Sequence, residues 1–245
     1  LNPFLFHRKV FVYYTHPKED SDLSEDELVY LLNKTAQVFS MCEQFKKMLV
    51  EKGVLEQKIS VFTGGADPEK FSPHQRGGGK VGFCTAFYER KEPQKIMKII
   101  DSMPHLDFVL IGRNWKKFID FEHLNSLRNF EYYEAEYGEY PDLYKTMDVF
   151  VSVAKLEGGP IPLIESMMCN IVPVASNTGF APDIINHGQN GYLFDVNAEV
   201  HDICKLIDQA ICFNSDVDIN SSVKDLSWEN FSKKIDQKMS SFSSF

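Results

Sequence analysis

Short apolar runs alternate with amphipathic ones along this chain, and no hairpin signal joins one apolar run to the next. No other feature limits the fold as much. Apolar runs fall at 10–15 (VFVYYT), 38–41 and 58–62, with helical patterns between them. Strands separated by helices pair in parallel, because a parallel partner needs a long crossover and a hairpin does not. The first helix carries a start signal. Ser24 precedes Glu27 by three residues, the spacing of a capping box, and Leu28, Leu31 and Leu32 give the segment to about Thr35 an apolar stripe. The second helical run, 43–52, meets Gly53 where a C-terminal cap is expected.

The pattern stops at 67–80, where Pro68, Pro73 and Gly77-Gly78-Gly79 cluster without periodicity, and this reads as a linker. Gly77-Gly78-Gly79-Lys80 lacks the spacing of a phosphate loop and precedes a strand where such a loop would follow one. The alternation then restarts, with strands expected at 81–85, 108–111, 130–133, 149–153 and 171–175. Helices are expected at 93–102, 140–146, 161–168 and 200–213, and a polar helical or loop segment runs up to Asn129. Ser227 reads as the N-cap of a final helix and 240–245 (SSFSSF) as a frayed end. The expected organisation is a partial α/β unit over 1–66, a linker over 67–80, a complete α/β unit over 81–226 and a closing helix over 227–245.

Charge and cysteine content narrow the function. A net charge of −9 argues against a general nucleic-acid binder. Cys42, Cys84, Cys169, Cys204 and Cys212 share no C-x-x-C spacing and sit mostly in apolar runs, so reduced buried thiols are expected and no metal site is. No apolar run approaches the ~18 residues of a membrane span, and the start lacks the order of a signal peptide. The expected location is cytoplasmic, and a first residue other than Met reads as a truncation or a removed tag.

The richest stretch is 156–194. Glu157 and Glu165 stand eight residues apart across Gly158-Gly159-Pro160-Ile161-Pro162, with nothing to break a helix from Ile161 to Met168. Such a turn is expected to leave free N–H groups at the helix N-terminus, a place for phosphate. The apolar run after it ends in Ser176-Asn177-Thr178-Gly179, at the strand end where open α/β sheets bind ligands.

The glutamate pair, with PVAS next, then GFAPDII and GQNGYLF, closely resembles the donor-binding half of retaining glycosyltransferases of family GT4. The likeness extends in order to 36–48 (AQVFSMCEQFKKM), 59–71 (ISVFTGGADPEKF) and 226–231. It implies the GT-B fold, two Rossmann-like parallel α/β units facing across a cleft, the first of them incomplete or reduced here. It also implies transfer of a sugar from a UDP- or GDP-type donor to a hydroxyl acceptor, with anomeric configuration retained and neither cofactor nor metal. The acceptor would be a glycan, a lipid-linked species or a small molecule. Association with the inner face of a membrane, and a homodimer or second chain that completes the acceptor site, belong to the same expectation.

By this resemblance Glu165 grips the ribose hydroxyls and Glu157 contacts the donor sugar. A carboxylate suits a vicinal diol because it accepts two hydrogen bonds. Gly158 and Gly159 let the donor approach the backbone, and Pro160 and Ile161 reshape the sugar pocket. Lys91 matches the lysine that neutralises the diphosphate as its bond to the sugar breaks. An arginine is usual five residues earlier, and here that position is Ala86. Either Arg90 or Arg113 supplies the charge, or Lys91 and backbone donors suffice, or the catalytic apparatus is weakened. His16 resembles a first-domain histidine facing the donor sugar, or is structural. Asn177, Thr178 and Gly179 match a loop near the donor phosphates, while Gly64, Gly65 and Asp67 match the inter-domain hinge. The rival expectation, from Ala86 and the short first unit, is an inactive nucleotide-sugar-binding scaffold.

Overall fold

The computed structural model describes residues 9–17, 23–77 and 79–242. Among these residues the chain forms two parallel sheets, one three-stranded and one six-stranded. The first contains β1 (Phe11–Tyr14), β2 (Gln37–Ser40) and β3 (Ile59–Val61), with β2 in the middle. β2 is buried along its whole length, and its polar Gln37 is satisfied by the Ser60 hydroxyl at 2.8 Å. The crossovers are α1 (Glu25–Lys34) and α2 (Glu43–Glu51). Ser24 and Glu27 close the expected capping box on α1.

The second sheet runs β6 (Phe130–Tyr133), β5 (Phe108–Ile111), β4 (Lys80–Cys84), β7 (Met147–Ser152), β8 (Val172–Ser176) and β9 (Tyr192–Phe194) in spatial order. The order reverses between β4 and β7, so their C-terminal ends form a crevice of the kind where open parallel sheets hold ligands. α3 (Pro93–Ser102) and α8 (Val200–Ile211) pack together on this sheet, and α6 (Ile161–Met168) lies against β7 and β8. The remaining helices are α4 (Phe121–Ser126), α5 (Tyr140–Tyr144), α7 (Ala181–Ile184) and α9 (Trp228–Ser240).

α9 packs onto the first unit: Phe231 meets Tyr13 edge-on at 5.7 Å and Phe242 meets Phe11 at the same separation. Such ring pairs contribute about 0.5–1.5 kcal/mol each beyond their buried area. The chain crosses between units at Ala66, which pairs with Ser227. A Cβ on Gly65 would lie 2.6 Å from the Ser227 carbonyl carbon, and one on Gly64 would strike Ile161. Asp67 shapes the next turn, accepting from the Glu69 amide at 3.0 Å.

Several sequence expectations are corrected. The segment before Asn129 takes the helical of its two expected forms but is not polar: Trp115, Phe118, Phe121 and Leu124 are buried and anchor it to β5 and β6. β9 and α7 escape sequence reading because glycine turns and three- or four-residue lengths hide their periodicity. Within 240–245, Ser240 closes α9 and Phe242 is held by Phe11, while 243–245 lie outside the described residues. Lys80 belongs to β4, and the amides of Gly77 and Gly79 both donate to the Asp148 carboxylate. Cys212 is exposed, unlike the other four thiols.

Candidate active site

Lys91 and Glu157 meet at the crevice between β4 and β7. After β4 the chain makes a short 3₁₀ turn, Glu89–Lys91, whose end is fixed by Glu92 in the left-handed region. After β7 it runs through 153–160 to the Gly158-Gly159 turn. The Lys155 amide donates to the Arg90 carbonyl at 3.1 Å and the Lys155 ammonium pairs with Glu92 at 3.0 Å, so the two loops are tied together. The Lys91 ammonium is paired with Glu157 Oε1. Arg90 donates to the Leu156 carbonyl at 3.1 Å and reaches Glu157 Oε2 at 3.7 Å. Two cations thus converge on one carboxylate, and Glu157 is only 7% exposed.

Burial, and then the neighbouring Arg90 charge, push the Lys91 ammonium down to about 8. The nearby Cys84 works weakly in the other direction. Beside the pair lies a cavity of about 30 Å³, lined by Cys84, Thr85, Ser152, Pro160 and Pro162. That is room for about one water.

The turn between Glu157 and α6 departs from expectation in one respect. The Ile161 amide donates to Gly159 and the Leu163 amide to Pro160, each at 2.8 Å, while Pro162 has no N–H. The Ile161 and Leu163 amides at the start of α6 are therefore taken. Among the described residues no acceptor is paired with the Gly158 and Gly159 amides, so the turn itself carries the available N–H groups.

The first unit presses on that turn. A Cβ on Gly158 would sit 1.6 Å from the Thr15 carbonyl oxygen, and one on Gly159 would meet Met41. The end of β1 therefore reaches the turn, with His16 next to it, exposed and bonded at Nδ1 to the Pro17 carbonyl at 2.9 Å. Among the described residues, two hydrogen bonds to side chains cross between the units here. The Gly179 amide donates to Gln44 Oε1 at 2.8 Å, and the Glu43 amide, at the start of α2, donates to Asp183 at 3.0 Å.

Asn177, Thr178 and Gly179 follow β8 into the same region, but their amides go to Phe194, Ser176 and Gln44. Thr178 Oγ1 accepts from the Glu157 amide at 3.4 Å, and Gly179, at φ 61°, lies directly under the carbonyls of Glu157 and Gly158. This loop holds the glycine turn from below, with only Asn177 exposed.

Glu165 is 2% exposed on α6. Tyr137 donates to its Oε1 at 2.7 Å and Tyr144 to its Oε2 at 3.1 Å. Burial raises its carboxyl above the usual range, and the two tyrosine bonds counter this in part. Arg113 is exposed at the end of β5, and its charge acts on Tyr140, whose hydroxyl burial pushes up to about 12. Ala86 lies in the loop after β4, where the next residue, Phe87, is bonded to the Arg113 carbonyl at 2.9 Å.

Sequence reasoning missed Tyr137, Tyr144, Gln44 and Asp183. Tyrosines in a short helical run read as packing, and partners across the cleft have no sequence signal. Among the described residues no cluster of three His, Cys, Asp or Glu side chains could hold a metal ion, and no helix is long and apolar enough to cross a membrane.

The sequence profile of glycosyl transferases group 1 matches residues 68–214. The chain belongs to that family. Its match covers the whole six-stranded sheet, including Lys91, Glu157 and Glu165. Among solved structures, HepE from Anabaena in complex with UDP and glucose is similar, with a TM-score of 0.78 at 14% identity over 97% of this chain and 73% of that one. Sucrose-phosphate synthase from Thermosynechococcus elongatus gives 0.78 at 15% identity over 95% and 67%. A glycosyltransferase from Rickettsia africae gives 0.77 at 15% identity over 93% and 69%. These likenesses establish the Rossmann-like GT-B fold. No curated protein matches by sequence.

Proposed function

We propose that this family member transfers a sugar from a UDP- or GDP-type donor to a hydroxyl acceptor with retention of anomeric configuration, in glycan or envelope polysaccharide synthesis. One observation carries the reading: Lys91 and Arg90 converge on Glu157 beside the unpaired amides of Gly158 and Gly159. The HepE complexes with UDP, with UDP-glucose, and with UDP and glucose support a UDP-type donor.

The chemistry follows from charge. As the bond from the anomeric carbon to the phosphate oxygen breaks, negative charge grows on the leaving diphosphate. The Lys91 ammonium and the turn amides meet that charge where burial keeps water from screening it. Glu157, released from Lys91, accepts from sugar hydroxyls. The acceptor oxygen bonds to the anomeric carbon on the face the diphosphate leaves, and the acceptor proton passes to the leaving phosphate oxygen. Glu165 seats the ribose, and His16 at the end of β1 faces the sugar from the opposite unit. Positive charge comes from Lys91, Arg90 and the amides, so the reading calls on no metal.

Ala86 favours a second reading, a nucleotide-sugar-binding partner without turnover. One experiment separates the two. A panel of UDP-, GDP- and ADP-sugars is assayed for donor hydrolysis and transfer, with NMR of the product's anomeric centre. A product of retained configuration supports the enzyme. Binding with complete inertness across the panel supports the partner.

A further inference from the structure

Glu165 is covered, so a ribose diol reaches it only if a group lying over it moves. Its carboxylate is almost fully buried, and each oxygen already accepts from a tyrosine. The two tyrosines differ. Tyr144 is fully buried, edge-on to Phe71 at 5.5 Å and against Phe150 at 6.1 Å, and cannot leave without opening the core. Tyr137 is 44% exposed, at the start of a three-residue 3₁₀ turn, Tyr137–Glu139, that lies on the surface. Its ring rests on Phe71 and Tyr140 at 5.9 and 5.5 Å, with the Lys70 ammonium over one face at 5.7 Å.

Resting on the reading of Glu165 as the ribose seat, we infer that the Tyr137 hydroxyl holds the position of a ribose hydroxyl on Glu165 and that the nucleotide binds by displacing it. The geometry supplies each part. A phenol O–H at 2.7 Å from a carboxylate oxygen makes the same kind of O–H···O bond, in the same distance range, that a sugar hydroxyl would make. Tyr144 remains in place on Oε2, so the carboxylate stays oriented and keeps one lone pair per oxygen for the diol. Until a nucleotide arrives, Tyr137 spares the buried carboxylate the cost of an unmade hydrogen bond. When one arrives, that same bond competes with it and lowers the observed affinity.

The two tyrosines should therefore act with opposite sign, an outcome that a purely structural role would not give. Binding of UDP and GDP, and of their 2′,3′-dideoxy forms, is measured by titration calorimetry on the full chain. Tyr137→Phe should tighten the ribonucleotide by about three- to tenfold, the size of one charge-assisted bond partly made up by water. It should leave the dideoxy form unchanged, while Tyr144→Phe weakens the ribonucleotide. If Tyr137→Phe leaves affinity unchanged or lowers it while Glu165→Ala abolishes binding, the displacement is overturned and the ribose seat stands. If Glu165→Ala does not alter affinity, or the wild type binds neither UDP nor GDP, the seat itself is wrong and the inference falls with it.

Discussion

Lys91 and Glu157 stand 66 residues apart in sequence and form an ion pair at the crevice where the order of the six-stranded sheet reverses. Each is the other's compensation for burial. The pair joins the loop after β4 to the loop after β7, and on the same carboxylate it gathers a second cation, Arg90, at 3.7 Å. A buried ion pair costs desolvation and is often no net gain to stability. Its place at the strand ends, beside glycine amides, points to use in binding.

Titration of Lys91 should set the upper pH limit of donor binding. Burial pushes this ammonium down to about 8, so it is charged below that pH and neutral above it. UDP affinity is expected to hold steady from pH 6.5 to about 7.5 and to fall as pH rises through about 8. A bound diphosphate favours the charged form, so the break in kcat should lie at higher pH than the break in kcat/KM. Calorimetry and rate profiles from pH 6 to 10 check both.

Arg90 is expected to stand in for the arginine missing at Ala86. Arg90→Ala should lower kcat/KM by about 10- to 100-fold, less than the roughly 100- to 1000-fold for loss of a fully buried charge-stabilising donor because the Arg90 side chain is 40% exposed. Ala86→Arg placed in the Arg90→Ala background should recover part of it. Equal rates for wild type and Arg90→Ala would show that Lys91 and the turn amides suffice.

The contact at Gly158 sets how closely the two units approach. An added methyl would lie 1.6 Å from the Thr15 carbonyl oxygen, so Gly158→Ala must push β1 away from the donor turn. A stability loss of about 1–3 kcal/mol is expected, with loss of turnover, by thermal melts and assay. Gly138→Ala, whose Cβ would meet open space, is the matched control and should change stability by less than about 0.5 kcal/mol.

Asp183 and Gln44 are expected to hold the cleft. Asp183 caps the start of α2 from across the cleft, and Gln44 caps the Gly179 amide. The double substitution Asp183→Ala, Gln44→Ala should loosen the units. Small-angle scattering would report a larger radius of gyration, and KM for donor should rise more than kcat falls.

Much of this arrangement is legible in the sequence, and the remainder fails for identifiable reasons. Ser24 with Glu27, and Ser227, place helix starts correctly because capping is local chemistry. Alternation without hairpins gives parallel pairing, since chain length between strands decides it. Glu157, Glu165 and Lys91 are readable by resemblance, but their partners are not. Tyr137 and Tyr144 reach Glu165 from a different crossover, while Gln44 meets Gly179 across 135 positions of chain and Asp183 meets Glu43 across 140. The sequence places the free amides at the start of α6 because a helix N-terminus leaves its first N–H groups without intrahelical partners. Here the carbonyls of Gly159 and Pro160 accept from the Ile161 and Leu163 amides, while among the described residues the Gly158 and Gly159 amides have no acceptor.

Donor binding through Glu165 is the point on which the rest depends. Titration of UDP and GDP into wild type and Glu165→Ala, with circular dichroism to confirm that the fold persists, tests it directly. The expected result is micromolar-range binding of at least one nucleotide by the wild type and none detectable by the folded variant. Unchanged affinity in Glu165→Ala would contradict the assignment of this site.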